Sequence, residues 1–290
     1  MAAVGVIVAF GSVIYLASKG IDLWLALLVG TGALGLLSQM ESGPLAAAVI
    51  DGLFGAATIQ LVVAVALISG LGRAMKESGD FDRMVSSLVA LIPKPKVLMM
   101  LLPAIIGTIN VPGGAIMSAP MVEEHGTALN LDRTTLASVI LFFRHIGYFI
   151  YPLQTSLIII SELLDIPKHS IILYNAAPAL VGAAAAYLFF FGNHNTGSAP
   201  QKNPRDIAYQ FTEFLLGFSP VMVIIALMLL FDAPFYLAAA SGLCLALVRN
   251  IQAEHWGAAL LSRLQQLFSG WINYELVLAV LSLMVFRAVV

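Results

Sequence analysis

The sequence predicts an all-α polytopic membrane protein, and three observations support this fold class. Of its 290 residues, 60% are apolar and 10% are charged, whereas soluble domains have about 45–50% apolar and about 25% charged residues. Several apolar runs approach the length of about 20 residues that crosses a bilayer as a helix. The lysines and arginines fall mostly between these runs and do not cluster. The composition therefore excludes an ordinary soluble enzyme and leaves no basic surface for a nucleic acid.

Seven apolar runs predict transmembrane helices, because charged residues are almost absent from them. They cover residues 2–18, 21–38, 56–75, 170–191, 219–231, 234–248 and 271–289. Two further segments, 80–92 and 253–268, carry apolar residues on one helical face and are expected to lie flat at the membrane surface.

Two stretches between Lys96 and Lys168 depart from this simple pattern. Residues 97–122 contain several prolines and glycines that weaken helical continuity, and they predict a re-entrant hairpin. Residues 131–164 are too long for one straight span and are interrupted near Gly147 and Pro152, which predicts one broken helix. A rival topology, in which 97–122 crosses fully and 131–164 forms two spans, stays open.

A polar, Asn- and Gly-containing stretch at 192–212 is predicted to be a linker between two repeats. Residues 1–191 would form the first transmembrane repeat, and residues 213–290 restart the same order of long and short segments. An odd number of crossings in the first repeat would invert the second, as in many secondary transporters. The counterparts of the hairpin and the broken helix would then fall after Val290. We therefore expect the chain to be a fragment with an incomplete second repeat.

The basic residues predict an orientation in the membrane. With the hairpin returning to its own side, nearly all lysines and arginines lie on one face, whereas Lys168 and Arg287 lie on the other. The positive-inside rule then puts the linker 192–212 in the cytoplasm and the N-terminus outside. We expect a multi-pass protein of the cell membrane.

The tip of the predicted hairpin is the first candidate binding site. Broken backbone at membrane depth is tolerated where it lines a cavity or is buried in protein. Free N–H groups at the start of the half-helix would favour an anion. The candidate residues here are Thr108, Asn110, Pro112, Gly113, Gly114 and Ser118. A kinked helix with small residues for packing is the alternative.

The second candidate is the polar group inside the broken helix. Arg144 lies in the middle of an apolar stretch, where a charge costs about 2.5–3.5 kcal/mol and usually faces a cavity or a partner. Its guanidinium could grip a carboxylate or a phosphate, His145 could take up a proton, and Tyr148 could line the site. The alternatives are an arginine that reaches the interface, a core histidine and an aromatic interface belt. No metal or cofactor site is predicted, and Cys244 is the single cysteine.

Pro112-Gly113-Gly114-Ala115 through Ser118-Ala119-Pro120, with Phe143-Arg144-His145-Ile146 and Tyr151-Pro152-Leu153, resemble motifs of a known family. The sequence resembles the integral-membrane proteins of domain-of-unknown-function family 401, a branch of the ion transporter superfamily with its gluconate, citrate and dicarboxylate carriers. The resemblance implies two inverted repeats that meet at a central substrate site, and a homodimer. It also implies that residues 110–114 and 144–148 face that site. The Ser-Asn-Thr tip of the sodium-coupled dicarboxylate carriers is replaced here by Thr108-Ile109-Asn110.

The expected function is a secondary active transporter, or permease, for a small organic anion, coupled to H⁺ or Na⁺. Motifs for ATP use are absent from the sequence, which favours coupling to an ion gradient. The alternatives are a structural or assembly subunit of a membrane complex and, less favoured, an intramembrane enzyme built on His145, Ser118 and Asn110. We expect a non-enzyme, since no carboxylate near His145 in sequence could orient it.

Overall fold

The computed structural model describes residues 2–38, 40–108, 122–123, 129, 131–192, 204–231, 233–251 and 256–290. Every regular element within these ranges is a helix. The predicted all-α class is therefore confirmed.

The first helices follow one another with short connections. They are α1 (Ala2–Ser18), α2 (Leu23–Leu37), α3 (Ser42–Phe54), α4 (Ala56–Glu77), α5 (Asp80–Leu91) and α6 (Pro95–Thr108). The turn between α4 and α5 contains Gly79 with φ of 78°, a conformation that glycine adopts without steric cost.

The later helices include two irregular turns. They are α7 (Arg133–Ile146), a 3₁₀ turn (Gly147–Phe149), α8 (Thr155–Leu164), α9 (Lys168–Phe191), α10 (Pro204–Leu230), α11 (Phe235–Val248), α12 (Trp256–Gln266), a π-helical turn (Leu267–Trp271) and α13 (Tyr274–Val289). Helix α10 begins at Pro204, inside the predicted linker 192–212.

Several of these helices have the length and apolar composition of membrane spans. Within the described ranges, three helical segments meet both criteria: Ser42–Glu77, Lys168–Phe191 and Asp206–Leu230. A fourth would be the pair Trp256–Trp271 and Tyr274–Val289, which is bent by 60°. Shorter apolar helices include α1, α2, α6, α8 and α11. The chain thus has the helices of a membrane protein, and each of the seven predicted spans coincides with one of them.

One compact unit combines the beginning of the chain with its end. It comprises Met1–Leu67, Pro234–Leu237 and Ile272–Val290. Helix α2 packs against both α1 and α13, and α13 also packs against α3. Ala26, Leu34 and Phe286 are buried in its core. Segments far apart in sequence therefore share one apolar core.

The second compact unit comprises Ile68–Ala233 and Ala238–Trp271. Within it α5 packs along α10, and α6 packs along α7. Gly217 on α10 allows the close approach of α5, because an added Cβ would lie 2.7 Å from the backbone nitrogen of Met84. Phe81, Met84 and Leu88 of α5 are buried. The apolar face that was expected to lie on the membrane surface is therefore covered by α10.

The stretch 131–164 consists of two helices with an interruption between Ile146 and Thr155. Helix α7 begins after Asp132, whose carboxylate accepts hydrogen bonds from the backbone N–H groups of Thr134 and Thr135. It ends at the 3₁₀ turn of Gly147, and Pro152 lies in the non-helical connection to α8. Of the predicted hairpin 97–122, residues up to Thr108 are helical in α6, and its tip lies outside the described residues.

Candidate functional site

The C-terminal ends of α6 and α7 meet at Gly107 and Arg144. A Cβ added to Gly107 would lie 2.8 Å from Cγ of Arg144 and 3.2 Å from its carbonyl oxygen. Such distances are shorter than van der Waals contact, so only glycine leaves room for the arginine stem here. The packing of α6 on α7 thus fixes where the stem of Arg144 leaves its helix.

Arg144 is half-buried in the last turn of α7. Its Nε donates a hydrogen bond to the hydroxyl oxygen of Tyr148, at 3.1 Å. Among the described residues, no carboxylate lies within 4.0 Å of its guanidinium. The two terminal nitrogens make no hydrogen bond within this part of the chain. Arg144 is therefore a partly buried cation whose counter-charge the described residues do not supply.

Thr108 and Tyr151 form a second polar pair next to Arg144. The Thr108 hydroxyl donates to the carbonyl oxygen of Ile105 at 2.6 Å, and the side chain of Tyr151 lies near that of Thr108. Tyr151 is buried and lies just after the 3₁₀ turn that contains Tyr148. The end of α6 thus lies against the interruption between α7 and α8.

His145 points away from the buried side of α7 and is exposed. Its Nδ1 lies 2.6 Å from the carbonyl oxygen of Leu141. Since a carbonyl oxygen only accepts, this contact is a hydrogen bond in the tautomer that carries the hydrogen on Nδ1. The ring also packs edge-on against Tyr148, with 5.0 Å between ring centroids. His145 therefore shares Tyr148 with Arg144.

The structure brings four of the predicted site residues into one region: Thr108, Arg144, His145 and Tyr148. Asn110, Pro112, Gly113, Gly114 and Ser118 lie outside the described residues, and their place in the site stays a prediction. Gly107 was not singled out from the sequence as a site residue, whereas Tyr151 flanks the break and was interpreted as a residue that could line the site or belong to an aromatic interface belt. The role of Gly107 depends on how two helices pack, which the sequence pattern does not encode.

A second polar cluster was missed entirely. Asp80 begins α5 and is fully buried, and its Oδ1 lies 3.2 Å from Nη1 of Arg249, directly after α11. Both residues follow the ends of apolar helices, which is where charged residues usually lie in solvent. That ordinary position concealed the burial of Asp80.

No group of three or more His, Cys, Asp or Glu side chains able to hold a metal ion occurs within the ranges that the structure describes. The described side chains around Arg144 offer hydrogen bonds and charge. A guanidinium fixed by a tyrosine hydroxyl can bind an anionic group through its free nitrogens.

An all-helical chain with several helices long and apolar enough to cross a membrane has the character of a helical membrane protein. The family model described as "Protein of unknown function (DUF401)" matches residues 4–290, and the chain belongs to this family. The family expected from the two sequence motifs is thereby confirmed. No curated protein matches the chain.

Proposed function

We propose that the protein is a secondary active transporter, a permease, that moves a small organic anion by alternating access. The observation that carries this proposal is the guanidinium of Arg144, half-buried at a helix interruption and without a carboxylate partner among the described residues. A cation in such surroundings is costly unless a counter-charge is present. A transported anion would supply that charge while it is bound.

The geometry around Arg144 favours recognition of a carboxylate or a phosphate. Tyr148 accepts from Nε and so holds the plane of the guanidinium. The two terminal nitrogens then point their hydrogens toward one oxyanion, which is the planar, two-point contact that arginine makes best. Thr108, at the adjacent end of α6, would add a hydroxyl. The tip residues Asn110, Pro112, Gly113, Gly114 and Ser118 are proposed to complete the site with backbone N–H groups.

The proposed transport function also has a family, a coupling ion, an oligomeric state and an orientation in the membrane. The family would be a branch of the ion transporter superfamily, with two inverted repeats and a broken helix in each. Transport would be coupled to H⁺ or Na⁺, and the protein would act as a homodimer rather than as an enzyme. It would lie in the cell membrane with its N-terminus outside and residues 192–212 in the cytoplasm.

The first experiment is a ligand screen by thermal unfolding of the purified protein. Carboxylates, sugar acids, phosphates and amino acids are tested with and without sodium. A ligand that binds only the folded protein stabilises it by about 2.7 kcal/mol at 100 times its Kd. The proposal expects an anion among the stabilising compounds. A folded protein that no anion stabilises would contradict it.

Arg144→Gln tests whether that stabilisation depends on the guanidinium. The variant should unfold at a midpoint near that of the wild type, yet lose stabilisation by the anion and lose its uptake into proteoliposomes. Arg133→Gln is the matched control, because Arg133 begins the same helix, is largely exposed and lies 4.0 Å from an exposed carboxylate, Glu123. The control should keep both activities. Unchanged uptake in Arg144→Gln would remove Arg144 from the site.

A structural or assembly subunit is the second candidate, and one contact favours it. The stem of Arg144 fits against Gly107, so the arginine also contributes to the packing of α6 on α7. A packing role predicts that Arg144→Gln lowers the yield of folded protein. It predicts in addition that Arg144→Met, which keeps an unbranched apolar stem, restores the yield without any anion effect.

A further inference from the structure

Two turns meet at the polar cluster around Asp80. The first, Ser78 to Asp80, joins α4 to α5 and contains Gly79 with φ of 78°. The second follows α11 and contains Asn250 with φ of 55°. The Asn250 side-chain amide donates to the carbonyl oxygen of Ser78. Both turns are thus held in left-handed conformations that bring Asp80 and Arg249 together.

Asp80 is fully buried, and its two carboxylate oxygens differ in their surroundings. Oδ2 accepts a hydrogen bond of 2.9 Å from the Ser78 hydroxyl. Oδ1 lies 3.2 Å from Nη1 of Arg249, but none of the described residues donates a well-aligned hydrogen bond to it. A buried carboxylate oxygen without a donor is rare, because its lost hydration is not replaced.

The cause lies in the other contacts of Arg249. Its Nη1 carries two hydrogens, and these are directed at the carbonyl oxygen of Leu216 and at the Ser219 hydroxyl, both on α10. Neither hydrogen is left for Asp80. Arg249 therefore stabilises the Asp80 carboxylate mainly by its charge, while two of its hydrogen bonds hold it on α10.

The neighbouring charges are occupied elsewhere. Arg83, on the next turn of α5, is paired with Glu213 of α10 at 2.8 Å. Arg263 of α12 donates to the carbonyl oxygens of Leu247 and Arg249. On α6, Lys96 donates to the carbonyl oxygen of Phe191. Among the described residues, Arg249 is thus the cation that forms an ion pair with Asp80.

We infer that Asp80 is a proton-binding site, in which a proton and the charge of Arg249 compete for one buried carboxylate. The inference goes beyond the proposed function. The cluster around Asp80 shares no residue with the candidate site around Arg144, and proton binding there needs no transported anion. Burial raises the pKa of Asp80 above its ordinary value, and the Ser78 hydroxyl and the charges of Arg249 and Arg83 oppose that rise.

Binding of a proton to Asp80 removes the ion pair between the start of α5 and the end of α11. The ionised carboxylate attracts Arg249 and so ties the start of α5 to the end of α11. The neutral acid exerts no such attraction, and Arg249 then stays on α10 through Leu216 and Ser219. The Asn250 amide on the Ser78 carbonyl is the hydrogen bond that still joins the two turns.

Infrared difference spectroscopy of the purified full chain in lipid nanodiscs tests this site. Spectra at acidic and neutral pH should differ by the C=O stretch of a buried, protonated carboxyl group. This band should be lost in Asp80→Asn and kept in Asp82→Asn, the matched control, since Asp82 lies on the same helix and is exposed. Absence of the band from the folded wild type, or its persistence in folded Asp80→Asn, would overturn the inference.

A second pair of variants tests the competition with Arg249 and keeps Asp80 in place. Removal of the charge in Arg249→Gln should raise the pH midpoint of the carboxyl band by about one to three units. Arg249→Lys keeps the charge and should keep a midpoint near that of the wild type. Equal midpoints in the two variants would show that Arg249 does not compete with the proton. Neither infrared experiment uses an anion. The test of Asp80 therefore remains valid even if the transport proposal fails.

Discussion

Gly107 is the residue that allows the arginine of the candidate site to reach its position. The stem of Arg144 occupies the space that a side chain at position 107 would need. A Cβ on residue 107 would lie closer to Arg144 than van der Waals contact allows. The site thus depends on a small residue that makes no polar contact itself. Residues of this kind act through shape and cannot be recognised by their chemistry.

Gly107→Ala should therefore destabilise the protein by about 1–3 kcal/mol, the usual cost of overpacking. The added methyl must displace Arg144, so stabilisation by an anion should fall as well. The thermal midpoint, with and without the ligand, measures both effects. Gly32→Ala is the control, because a Cβ at Gly32 meets no atom within 4 Å. Equal midpoints for the wild type and Gly107→Ala would contradict the contact.

At the scale of the helix, the N-terminus of α7 is stabilised by a side-chain cap. Asp132 caps its N-terminus through backbone bonds to Thr134 and Thr135, and the Thr135 hydroxyl also donates to the carboxylate. These bonds lower the pKa of Asp132, the Thr135 hydroxyl most of all. The cap is present when the carboxylate is ionised.

Asp132→Ala should lower the thermal midpoint at neutral pH. A carboxyl group with a lowered pKa in the folded state stabilises the protein above its unfolded pKa, and this contribution is lost as pH falls through the folded pKa. The gap between wild type and variant should accordingly shrink below the ordinary value of 3.8. Asp22→Ala is the control, since Asp22 precedes α2 without a side-chain capping bond. A gap that does not vary with pH would contradict the cap.

The helices and the interruption within 131–164 could be predicted from the sequence. Which helices pack against one another could not. Gly147 and Pro152 predict the break, because glycine has a low helix propensity and proline lacks the N–H that a helix needs. The apolar face of α5 was equally visible from its period. What covers that face is α10, more than a hundred residues later, and periodicity states that a face is apolar without stating its partner.

The candidate site shows the same division. Arg144 stands out because a charge inside an apolar run needs compensation, and Tyr148 follows at the helical spacing that permits a contact. Gly107 and Asp80 did not stand out. Each owes its role to a neighbour on another helix, which local sequence does not specify.

At the scale of the molecule, the unit that contains α1, α2 and α3 also needs α13. Gly52 on α3 marks the contact, since a Cβ there would lie 2.7 Å from the Cα of Val285. A backbone this close leaves no side chain that could move aside. The approach of α3 to α13 is therefore possible only with glycine at this position.

Gly52→Ala should separate α3 from α13 and destabilise the protein by about 1–3 kcal/mol. Thermal unfolding in detergent measures the effect. Gly43→Ala lies on the same helix and is its control, because a Cβ at Gly43 meets nothing within 4 Å. If both variants unfold at the wild-type midpoint, α3 and α13 do not pack in this way.

The packing of α13 on α2 and α3 has a consequence for biosynthesis. The ribosome makes α3 well before α13, and at about 5–20 residues per second the interval is roughly 10–40 s. During that time the surfaces of α2 and α3 that later contact α13 must be covered by lipid or by the insertion machinery. Completion of this unit is therefore a late step of biosynthesis, since the helix that covers Gly52 is made last.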